Sequence, residues 1–533
     1  PHFCIIPPME HINISKNIFD WNQADFDDSK WHNPFIAGHL VFRESIRDPY
    51  SKWWLVPREI PMMEEKKKDF FKVFRTTGIS IETAEKWLKN KNENLEIIAG
   101  KKASIVLDVG ELVTAFPIFS FSGNATATIK LKYSEKLFVN GKTLERDNPD
   151  GIVCGYNDFI EYGGNEFTFE PFWFRTFRFL EIEINNIGND SLFIYPPEMN
   201  TFLYPFENKA EFSTEDCEIR KIWDIGWRTA RLCAHEHYYD CPYYEQLQYA
   251  GDTRIQALIS YALTGDGKLG AQAIRHFHRS LLYEGITQSR YPSAWTQVIP
   301  LFSLYWILMV KDYYSYFRDQ SLVKEVFPGI NSVLEWFKRE IKDDGLVGHL
   351  RYWNYVDWLP EWQNGNPAGE KNQPLTINSL VLAEALKTAA ELAKFADSSK
   401  EKEYIKLSKN LICSVKKNCY NRSKGLFVDI PGEDKISQHT NAWAIISEAV
   451  SGNQAKEIAQ KINSAKDKMS KTTLFFSFYL FRAWEKAETY EFFWEKLEDW
   501  KSVLKWNFTT FPEVPSENTR SDCHAWSSSP LYE

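Results

Sequence analysis

Three acidic side chains lie close together in a short segment that is rich in tyrosine. Residues 239–252 read YDCPYYEQLQYAGD and contain Asp240, Glu245 and Asp252 beside four tyrosines. A proline disfavours helix in the residue before it, and the Gly-Asp pair at 251–252 is typical of a helix start. The sequence therefore predicts that Glu245 lies on a loop at the mouth of a helical bundle.

The tyrosines suggest a chemical role for Glu245. A carboxyl group that neighbouring rings shield from water is more easily protonated near neutral pH. General acid catalysis requires such a protonated group. The alternative is that Asp240 and Asp252 only cap helices and that Glu245 is a surface residue. The local sequence leaves both interpretations open.

A second carboxylate is held by prolines near the end of the chain. Residues 509–530 read TTFPEVPSENTRSDCHAWSSSP, in which Glu513 stands between prolines and His524 follows close to Trp526. Prolines stiffen the backbone and disfavour helix, so we expect the Glu513 carboxylate to be fixed in place. The alternative is a proline-rich connection with an incidental glutamate. Two positioned carboxylates far apart in sequence are what glycoside hydrolysis uses, one as general acid and one as the base that activates water.

Aromatic residues and acids are mixed again at 350–362, where the sequence reads LRYWNYVDWLPEW. Three tryptophans and two tyrosines accompany Asp357 and Glu361 in this segment. A cleft with aromatic walls and hydrogen-bonding carboxylates suits a sugar, whose C–H faces stack on rings. A structural cluster of aromatic residues would need fewer acids. Residues 289–300, SRYPSAWTQVIP, add Arg290 and Trp295 as a weaker wall.

The pattern of apolar and polar residues changes near residue 205. Before it, runs such as ASIVLDVG, ATATIKLKYS and FRFLEIEI alternate apolar and polar residues and are separated by turn signals such as SGN and NPDG. This pattern is typical of antiparallel β-sandwiches. We expect residues 1–65 to form a partial β-module or linker, and residues 66–205 a more complete β-sandwich domain.

Residues 206–533 are predicted to form an all-α catalytic domain. From Ile219 to Cys233, apolar residues recur every three or four positions, as on one face of a helix. Comparable stretches follow near 252–264, 268–283, 296–317, 320–340, 375–396, 400–420, 440–451, 453–464, 472–487 and 489–504, with a last one near 524. Twelve helices fit an (α/α)6 barrel, in which inner and outer helices alternate and the loops at one end build a site. The alternative is another large helical array.

Composition narrows the classes of partner. Of the 533 residues, 44% are hydrophobic and 25% charged, as in ordinary globular proteins, and 16% are aromatic. A net charge of −9 argues against nucleic acid or an anionic membrane as the partner, since both need clustered Lys and Arg. No window approaches a membrane-spanning length of apolar residues. Eight cysteines without a CxxC pair fit neither a zinc ribbon nor a small disulfide scaffold, so we expect mostly buried thiols, with one disulfide left open.

The start of the chain reads PHFCIIPP, with neither an initiator methionine nor a signal peptide. We therefore expect that it starts inside a longer gene product. The cellular location is not readable from the sequence.

The segments YDCPYYEQLQYAGD, VDWL and FPEVPSENTRSDCHAW together resemble the α-L-rhamnosidases of glycoside hydrolase family 78. The resemblance extends from about residue 50 to the end of the chain, includes WLVPREIP at 54–61, and is most specific at 240–252. It implies an (α/α)6 catalytic barrel with β-sandwich modules before and after it. It also implies hydrolysis of terminal α-L-rhamnose with inversion and without a metal or other cofactor.

The resemblance implies residue roles as well. Glu245 is then the general acid and Glu513 the general base, with their carboxyl groups roughly 6.5 to 9.5 Å apart as inversion requires. The expected substrate contacts come from Asp240, Asp252 and Asp357 on the rhamnose hydroxyls, from Trp295 and Trp358 packed on the sugar and its methyl group, and from His524 in the pocket wall.

Two positions depart from a common form of the family motif, which has Arg directly after the general acid and Trp before the Gly-Asp pair. This chain has Gln246 and Tyr249 there, which looks like a second known variant. We expect these changes to affect the preferred partner of the sugar more than the chemistry. The chain ends at LYE, where we expect the last helix to finish and a C-terminal β-sandwich to follow.

Other functions stay open on the sequence alone. Another inverting (α/α)6 glycosidase, of α-glucosidase or α-fucosidase type, would use the same two acids, and a non-catalytic rhamnose-binding protein would keep the aromatic walls. A metal hydrolase built on the His-Glu-His at 235–237 is disfavoured, because histidines two positions apart on a helix point to different faces. The expected partner is a terminal α-L-rhamnoside. The aglycone, the linkage and the oligomeric state, a homodimer included, are left open.

Overall fold

The structure is a computed structural model, and it describes residues 8–35, 41–42, 54–55, 57–142, 145–369, 371–464 and 469–532. The predicted first module at 1–65 is therefore described only in part. The expectation about the start of the chain, Cys4 included, falls on residues outside this description.

The part before residue 205 is rich in strands. They are β1 (His11–Asn13), β2 (Val41–Phe42), β3 (Trp54–Leu55), β4 (Glu64–Lys67), β5 (Lys72–Thr77), β6 (Leu95–Ile97), β7 (Lys102–Ser122), β8 (Thr126–Ser134), β9 (Leu137–Phe138), β10 (Ile152–Val153), β11 (Tyr156–Gly163), β12 (Phe167–Phe169), β13 (Arg175–Asn186), β14 (Leu192–Ile194) and β15 (Glu198–Leu203). The main path of the large sheet runs β1-β11-β8-β13-β7-β14-β6.

The long strand β7 joins the two layers of the sandwich. Its first half pairs antiparallel with β5 and β13, where Leu107 lies opposite Leu180, and its end pairs with β12 and β14, where Phe121 lies opposite Ile194. The register of the β13 pairing shifts next to Gly110, whose φ of 86° is easy only for glycine. Such an irregularity bends the strand and increases its local twist.

Alternation explains the sandwich core. Ala127, Ile129, Leu131 and Tyr133 on β8 are buried while the residues between them are more exposed, because successive strand side chains point to opposite faces. Most pairings are antiparallel, as predicted, although β1 pairs parallel with β11. A helix that was not predicted, α1 (Ile81–Lys89), buries Trp87 against β14, and the Trp87 indole donates to the Ile194 carbonyl at 2.8 Å.

The part after residue 205 is helical. Its helices are α2 (Cys217–Leu232), α3 (Ala250–Thr264), α4 (Lys268–Arg279), α5 (Pro300–Phe317), α6 (Gln320–Arg339), α7 (Thr376–Ala396), α8 (Glu401–Cys419), α9 (Gln438–Ile446), α10 (Gly452–Ser464), α11 (Leu474–Lys486) and α12 (Glu491–Leu504). A small hairpin, β16 (Tyr420–Asn421) with β17 (Leu426–Phe427), follows α8. The N-cap of α2 is Asp216, whose carboxylate accepts from two backbone N–H groups.

Burial alternates along these helices as an (α/α)6 barrel requires. Helices α3, α5, α7, α9 and α11 are buried on most sides, whereas α4, α6, α8, α10 and α12 bury one face each. The described residues contain eleven α-helices in this part, one fewer than predicted. In place of the helix expected near 524 there is a buried 3-10 helix, Ala525–Ser528, which packs against α2, α3 and α11. The predicted fold class is otherwise confirmed, and the exact domain boundaries stay predictions.

Two features of composition can be compared with the structure. Of the seven cysteines in the described residues, Cys233, Cys241, Cys419 and Cys523 are buried, and all seven are free thiols. The expected mostly buried thiols are thus found at four of these positions. None of the described helices has both the length and the apolar character needed to cross a bilayer.

Candidate active site

A cavity of about 560 Å³ lies where the loops of the helical part meet the starts of α3 and α5. Its walls combine four carboxylates, one arginine, one histidine and a large share of rings. Six of the eight predicted site residues line it, namely Asp240, Glu245, Asp252, Trp358, Glu513 and His524. The remaining lining residues are Tyr249, Gln297, Ile299, Phe302, Trp353, Tyr355, Asn364, Arg520 and Trp526.

Glu245 ends a tight turn that begins at Pro242 and comes just before α3, as predicted. The next residue, Gln246, has a φ of 54°, in the left-handed region that glutamine seldom adopts. Its backbone N–H donates to the Cys241 carbonyl at 3.0 Å, and its side-chain amide donates to the Pro242 carbonyl at 2.9 Å. Gln246 therefore closes the turn and fixes the direction of the Glu245 side chain.

Both oxygens of the Glu245 carboxylate accept hydrogen bonds. Arg520 Nη2 donates to Oε1 at 2.9 Å, and the Tyr249 hydroxyl donates to Oε2 at 3.2 Å. Arg290 in turn donates to the Tyr249 hydroxyl at 2.9 Å. Of the four tyrosines in this segment, Tyr249 is the one that contacts Glu245 through a hydrogen bond and lines the cavity. Arg290 acts behind it rather than in the wall.

Glu513 is held by backbone contacts as well as by prolines. Its N–H donates to the Ser521 carbonyl at 3.1 Å, and the Trp526 indole donates to the Glu513 carbonyl at 3.1 Å. Arg520 Nε donates to the side-chain Oε2 at 3.1 Å. Burial raises the pKa of the Glu513 carboxyl above its ordinary value, and the Arg520 guanidinium opposes that rise.

Arg520 is the functional residue that the sequence analysis missed. One guanidinium contacts both predicted catalytic carboxylates, and its carbon lies 5.3 Å from the centre of the Tyr244 ring, within cation–π range. Although burial lowers it, the pKa of Arg520 is raised by the charges of Glu513 and Glu245, so the group stays a cation. Its only sequence signal was its position in the segment that carries Glu513 and His524.

Asp240, Asp252 and His524 form a buried cluster in the cavity wall. His524 Nε2 lies 3.9 Å from Asp240 Oδ2, and His524 Nδ1 lies 3.6 Å from Asp252 Oδ1. Asp240 also accepts from the Leu247 N–H at 3.0 Å, whereas Asp252 Oδ1 and His524 Nδ1 have no hydrogen-bond partner among the described residues. Burial and neighbouring carboxylates raise the pKa of Asp240, and burial does the same for that of Asp252. Burial and the Arg520 charge lower the pKa of His524, so its imidazole is neutral.

Rings form much of the remaining wall. Trp358 packs edge to face with Tyr355 at 5.3 Å between ring centres, and Trp353 lies 5.9 Å from Trp358. Trp526 stacks on His524 at 3.9 Å between ring centres. Trp358 is 40% exposed, so its ring is available to a ligand that enters the cavity.

Two predicted contact residues do not line the cavity. Trp295 is 62% exposed and stands outside the cavity wall. Asp357 is fully buried, and both of its oxygens are already used: Oδ1 accepts from the Thr473 hydroxyl at 2.6 Å, and Oδ2 accepts from His439 Nε2 at 2.7 Å. It also accepts from the Trp358 N–H at 2.9 Å. In the structure Asp357 holds the loop beneath Trp358, and its expected contact with sugar hydroxyls stays a prediction.

The His-Glu-His segment at 235–237 is packed against aromatic side chains. His235 is fully buried, and its ring stacks on Phe174 at 4.6 Å with a 4° interplanar angle. Burial lowers the pKa of His235 to about 3 and that of His237 to about 4. His235 belongs to the packing between the sandwich and the helical part, and the His237 ring contacts that of Tyr239 at 4.7 Å.

The fold and the site together define a class: a β-sandwich followed by a six-hairpin helical barrel whose loops bring two carboxylates to one aromatic cavity. The family model described as the bacterial alpha-L-rhamnosidase 6 hairpin glycosidase domain matches residues 207–532. This match covers more than half of the chain, and the chain therefore belongs to that family. The resemblance found in the sequence is confirmed.

Solved structures share the fold at low sequence identity. The glycoside hydrolase family 78 rhamnosidase of Bacillus sp. GL1 is 22% identical with a TM-score of 0.74, and the match covers 82% of this chain and 46% of that one. A rhamnosidase from Klebsiella oxytoca with rhamnose bound is 17% identical with a TM-score of 0.73, over 89% of this chain and 96% of that one. The α-L-rhamnosidase of Dictyoglumus thermophilum is 17% identical with a TM-score of 0.71, and the match covers 96% of this chain and 55% of that one. The chain thus spans about half the length of two of these proteins. No curated protein sequence matches it.

Proposed function

We propose that this protein is an inverting glycoside hydrolase that releases terminal α-L-rhamnose from rhamnosides or rhamnose-containing polysaccharides. The observation that carries the proposal is the pair Glu245 and Glu513, which reach one aromatic-walled cavity from two separate loops. Membership of the rhamnosidase family supports the choice of sugar. The solved rhamnosidase of Klebsiella oxytoca, which has rhamnose bound, supports it by its similar fold.

In the proposed mechanism, protonated Glu245 donates its proton to the glycosidic oxygen as the bond to the sugar breaks. Ionised Glu513 takes a proton from a water molecule that attacks the anomeric carbon from the opposite face. The water oxygen becomes the new anomeric hydroxyl, so the configuration inverts. The Tyr249 hydroxyl and the Arg520 guanidinium orient the Glu245 carboxyl, and Arg520 keeps Glu513 close to its ionised form.

The buried cluster supplies the sugar contacts. Asp252 Oδ1 and His524 Nδ1 are buried polar atoms without a hydrogen-bond partner in the part of the chain that the structure describes, and such atoms cost free energy until a ligand pairs with them. Rhamnose hydroxyls can supply both a donor and an acceptor. The exposed face of Trp358 then covers the apolar side of the ring, where the methyl group lies.

A substrate panel tests this proposal. The 4-nitrophenyl α-L-rhamnoside, α-L-fucoside and α-D-glucoside are offered to the wild-type protein, and L-rhamnose binding is measured by calorimetry. We expect turnover of the rhamnoside alone. Preferred turnover of the fucoside or glucoside would identify another glycosidase. Binding of L-rhamnose without turnover of any natural or aryl rhamnoside would identify a binding protein, and either result would contradict the proposal.

A further inference from the structure

The segment that carries Glu513, Arg520 and His524 is anchored on the β-sandwich rather than on the helical part alone. Lys136, at the corner after β8, donates from Nζ to Asp522 Oδ1 at 2.8 Å. The same ammonium group donates to the carbonyl of Thr519 at 2.6 Å and to that of Arg520 at 3.2 Å. Lys136 therefore holds the backbone on which the Arg520 side chain stands.

A second sandwich cation holds the same carboxylate. Arg146 Nε donates to Asp522 Oδ2 at 3.0 Å, and Nη2 donates to Oδ1 at 3.1 Å. Its Nη1 donates to the Glu517 carbonyl at 2.8 Å, and the guanidinium carbon lies 3.4 Å from the centre of the Phe508 ring. Arg146 thus spans the segment from Phe508 to Asp522.

These charges are removed from water. The side chains of Lys136, Arg146 and Asp522 are 3%, 1% and 5% exposed. A buried ion cluster of this kind loses much of its attraction to desolvation, and its best-attested use is to specify one geometry. Six polar contacts with defined directions leave the segment little freedom to shift.

The sandwich also holds the loop that carries Glu245. The Thr176 hydroxyl on β13 donates to the Pro242 carbonyl at 2.8 Å, and the Trp173 indole donates to Gln246 Oε1 at 2.9 Å. The Tyr243 hydroxyl donates back to the Tyr133 carbonyl on β8 at 2.9 Å. Both carboxylate-bearing loops are therefore fixed to the same sheet.

We propose that the β-sandwich sets the geometry of the active site. Lys136 and Arg146 are positioning residues, and they fix the position of Glu513 relative to Glu245. The inference rests on the proposed function for the roles of these two carboxylates. An inverting reaction needs a fixed gap between them for the water and the sugar, so a common rigid support has a direct effect on the chemical step.

The test compares Lys136→Met with Lys132→Met in the full chain. Lys132 is another sandwich lysine, 19% exposed, but it pairs with Glu181 and Glu183 on β13. Because a shift of about 1 Å costs roughly a hundredfold in rate, we expect kcat of Lys136→Met for rhamnoside hydrolysis to fall about a hundredfold, with a much smaller change in KM. Lys132→Met should keep the kcat of the wild type.

Hydrogen exchange gives a readout that does not depend on activity. We expect faster exchange of backbone amides in 513–524 in Lys136→Met and unchanged exchange there in Lys132→Met. If Lys136→Met does not fold, Asp522→Asn, which keeps the shape and removes the charge, should show the same two effects. A folded variant with kcat within twofold of the wild type, or with unchanged exchange in 513–524, would overturn the inference. If the wild type hydrolyses no rhamnoside, the proposed function fails, and the exchange result still decides whether the sandwich holds the segment.

Discussion

At the scale of single residues, the site depends on one guanidinium between two carboxylates. Arg520 contacts Glu245 through Nη2 and Glu513 through Nε, and Tyr249 contacts the other oxygen of Glu245. The two glutamates therefore have different surroundings, because Glu245 accepts from a tyrosine hydroxyl as well as from Arg520. Different surroundings are what an acid and a base in one cavity require.

We predict that Glu245→Gln and Glu513→Gln each lower kcat by about 10²- to 10⁴-fold, the usual contribution of a general acid or base. Glu245→Gln should retain more activity on a 4-nitrophenyl rhamnoside than on an alkyl rhamnoside, because a good leaving group needs less protonation. Glu513→Gln should lose activity on both. Steady-state kinetics on the two substrates measure this.

A matched control for these variants is Glu361→Gln. Glu361 is an exposed carboxylate outside the cavity wall, and its loss should leave kcat unchanged. Wild-type activity in either Glu245→Gln or Glu513→Gln would remove that residue from its assigned role.

Arg520→Gln is expected to shift the acidic limb of the pH profile. Glu513 faces Arg520 and Lys136, which lower its pKa, and Glu245 together with burial, which raise it. A base must be ionised to act, so activity is lost as the pH falls through its pKa. Removing the Arg520 cation raises that pKa, and the acidic limb of kcat/KM should move to higher pH. An unmoved limb in an active Arg520→Gln protein would contradict this role.

Residues that stand in segments with strong local signals could be predicted from the sequence. Prolines beside Glu513 and tyrosines around Glu245 indicated positioned carboxylates before any fold was known. The positions of Trp295 and Asp357 outside the cavity wall could not be predicted, because the composition of a segment does not show which side chain faces the cavity. The partners that occupy Asp357, His439 and Thr473, are far from it in sequence.

At the scale of elements, Asp357 joins a loop to the start of a helix. Its carboxylate accepts from the backbone N–H of Thr473, the N-cap residue of α11, at 3.0 Å as well as from His439. We predict that Asp357→Ala lowers the free energy of unfolding by about 3 kcal/mol, because it leaves buried donors unpaired. Urea unfolding measures the change, with the exposed Asp343→Ala as the control. Unchanged stability together with lost rhamnose affinity would instead restore a direct sugar contact.

The helices and strands were largely predictable where apolar residues recur at a regular spacing. Alternation identified β8 and β13, and spacings of three and four identified the helices from α2 onward. The helix expected near 524 failed because its side chains bond to the preceding loop instead: the Ser527 hydroxyl donates to the Pro512 carbonyl at 2.7 Å, and the Trp526 indole donates to the Glu513 carbonyl. Such contacts depend on the tertiary fold and leave no periodic signal.

At the scale of the whole molecule, Glu135 belongs to the buried cluster of charges that the sandwich and the barrel share, and folding changes its pKa. Burial and the nearby Asp522 carboxylate raise the pKa of Glu135 from 4.5 to about 8. A carboxyl group with a raised folded-state pKa stabilises the fold below its unfolded value, and this contribution is lost as the pH rises through about 8. We predict that the free energy of unfolding of the wild type falls between pH 5 and 8.5, and that this fall is smaller in Glu135→Gln. Calorimetric unfolding across this range tests it, and parallel curves for the two proteins would contradict it.

The order of domains was readable from the sequence, whereas their contact was not. A change from two-residue to three-and-a-half-residue periodicity near 205 separates the sheet from the helices. Lys136 and Arg146 carry no local sign that they contact Asp522, since 386 and 376 positions of the sequence separate them from it.

The most direct test of the central claim is proton NMR of the sugar that is first released from an α-L-rhamnoside by the wild-type protein. The account predicts that β-L-rhamnose appears first and that the α-anomer grows in only by mutarotation. Initial release of α-L-rhamnose would mean retention of configuration and would contradict the assigned roles of Glu245 and Glu513. No release of rhamnose from aryl or natural rhamnosides would contradict the proposed function itself.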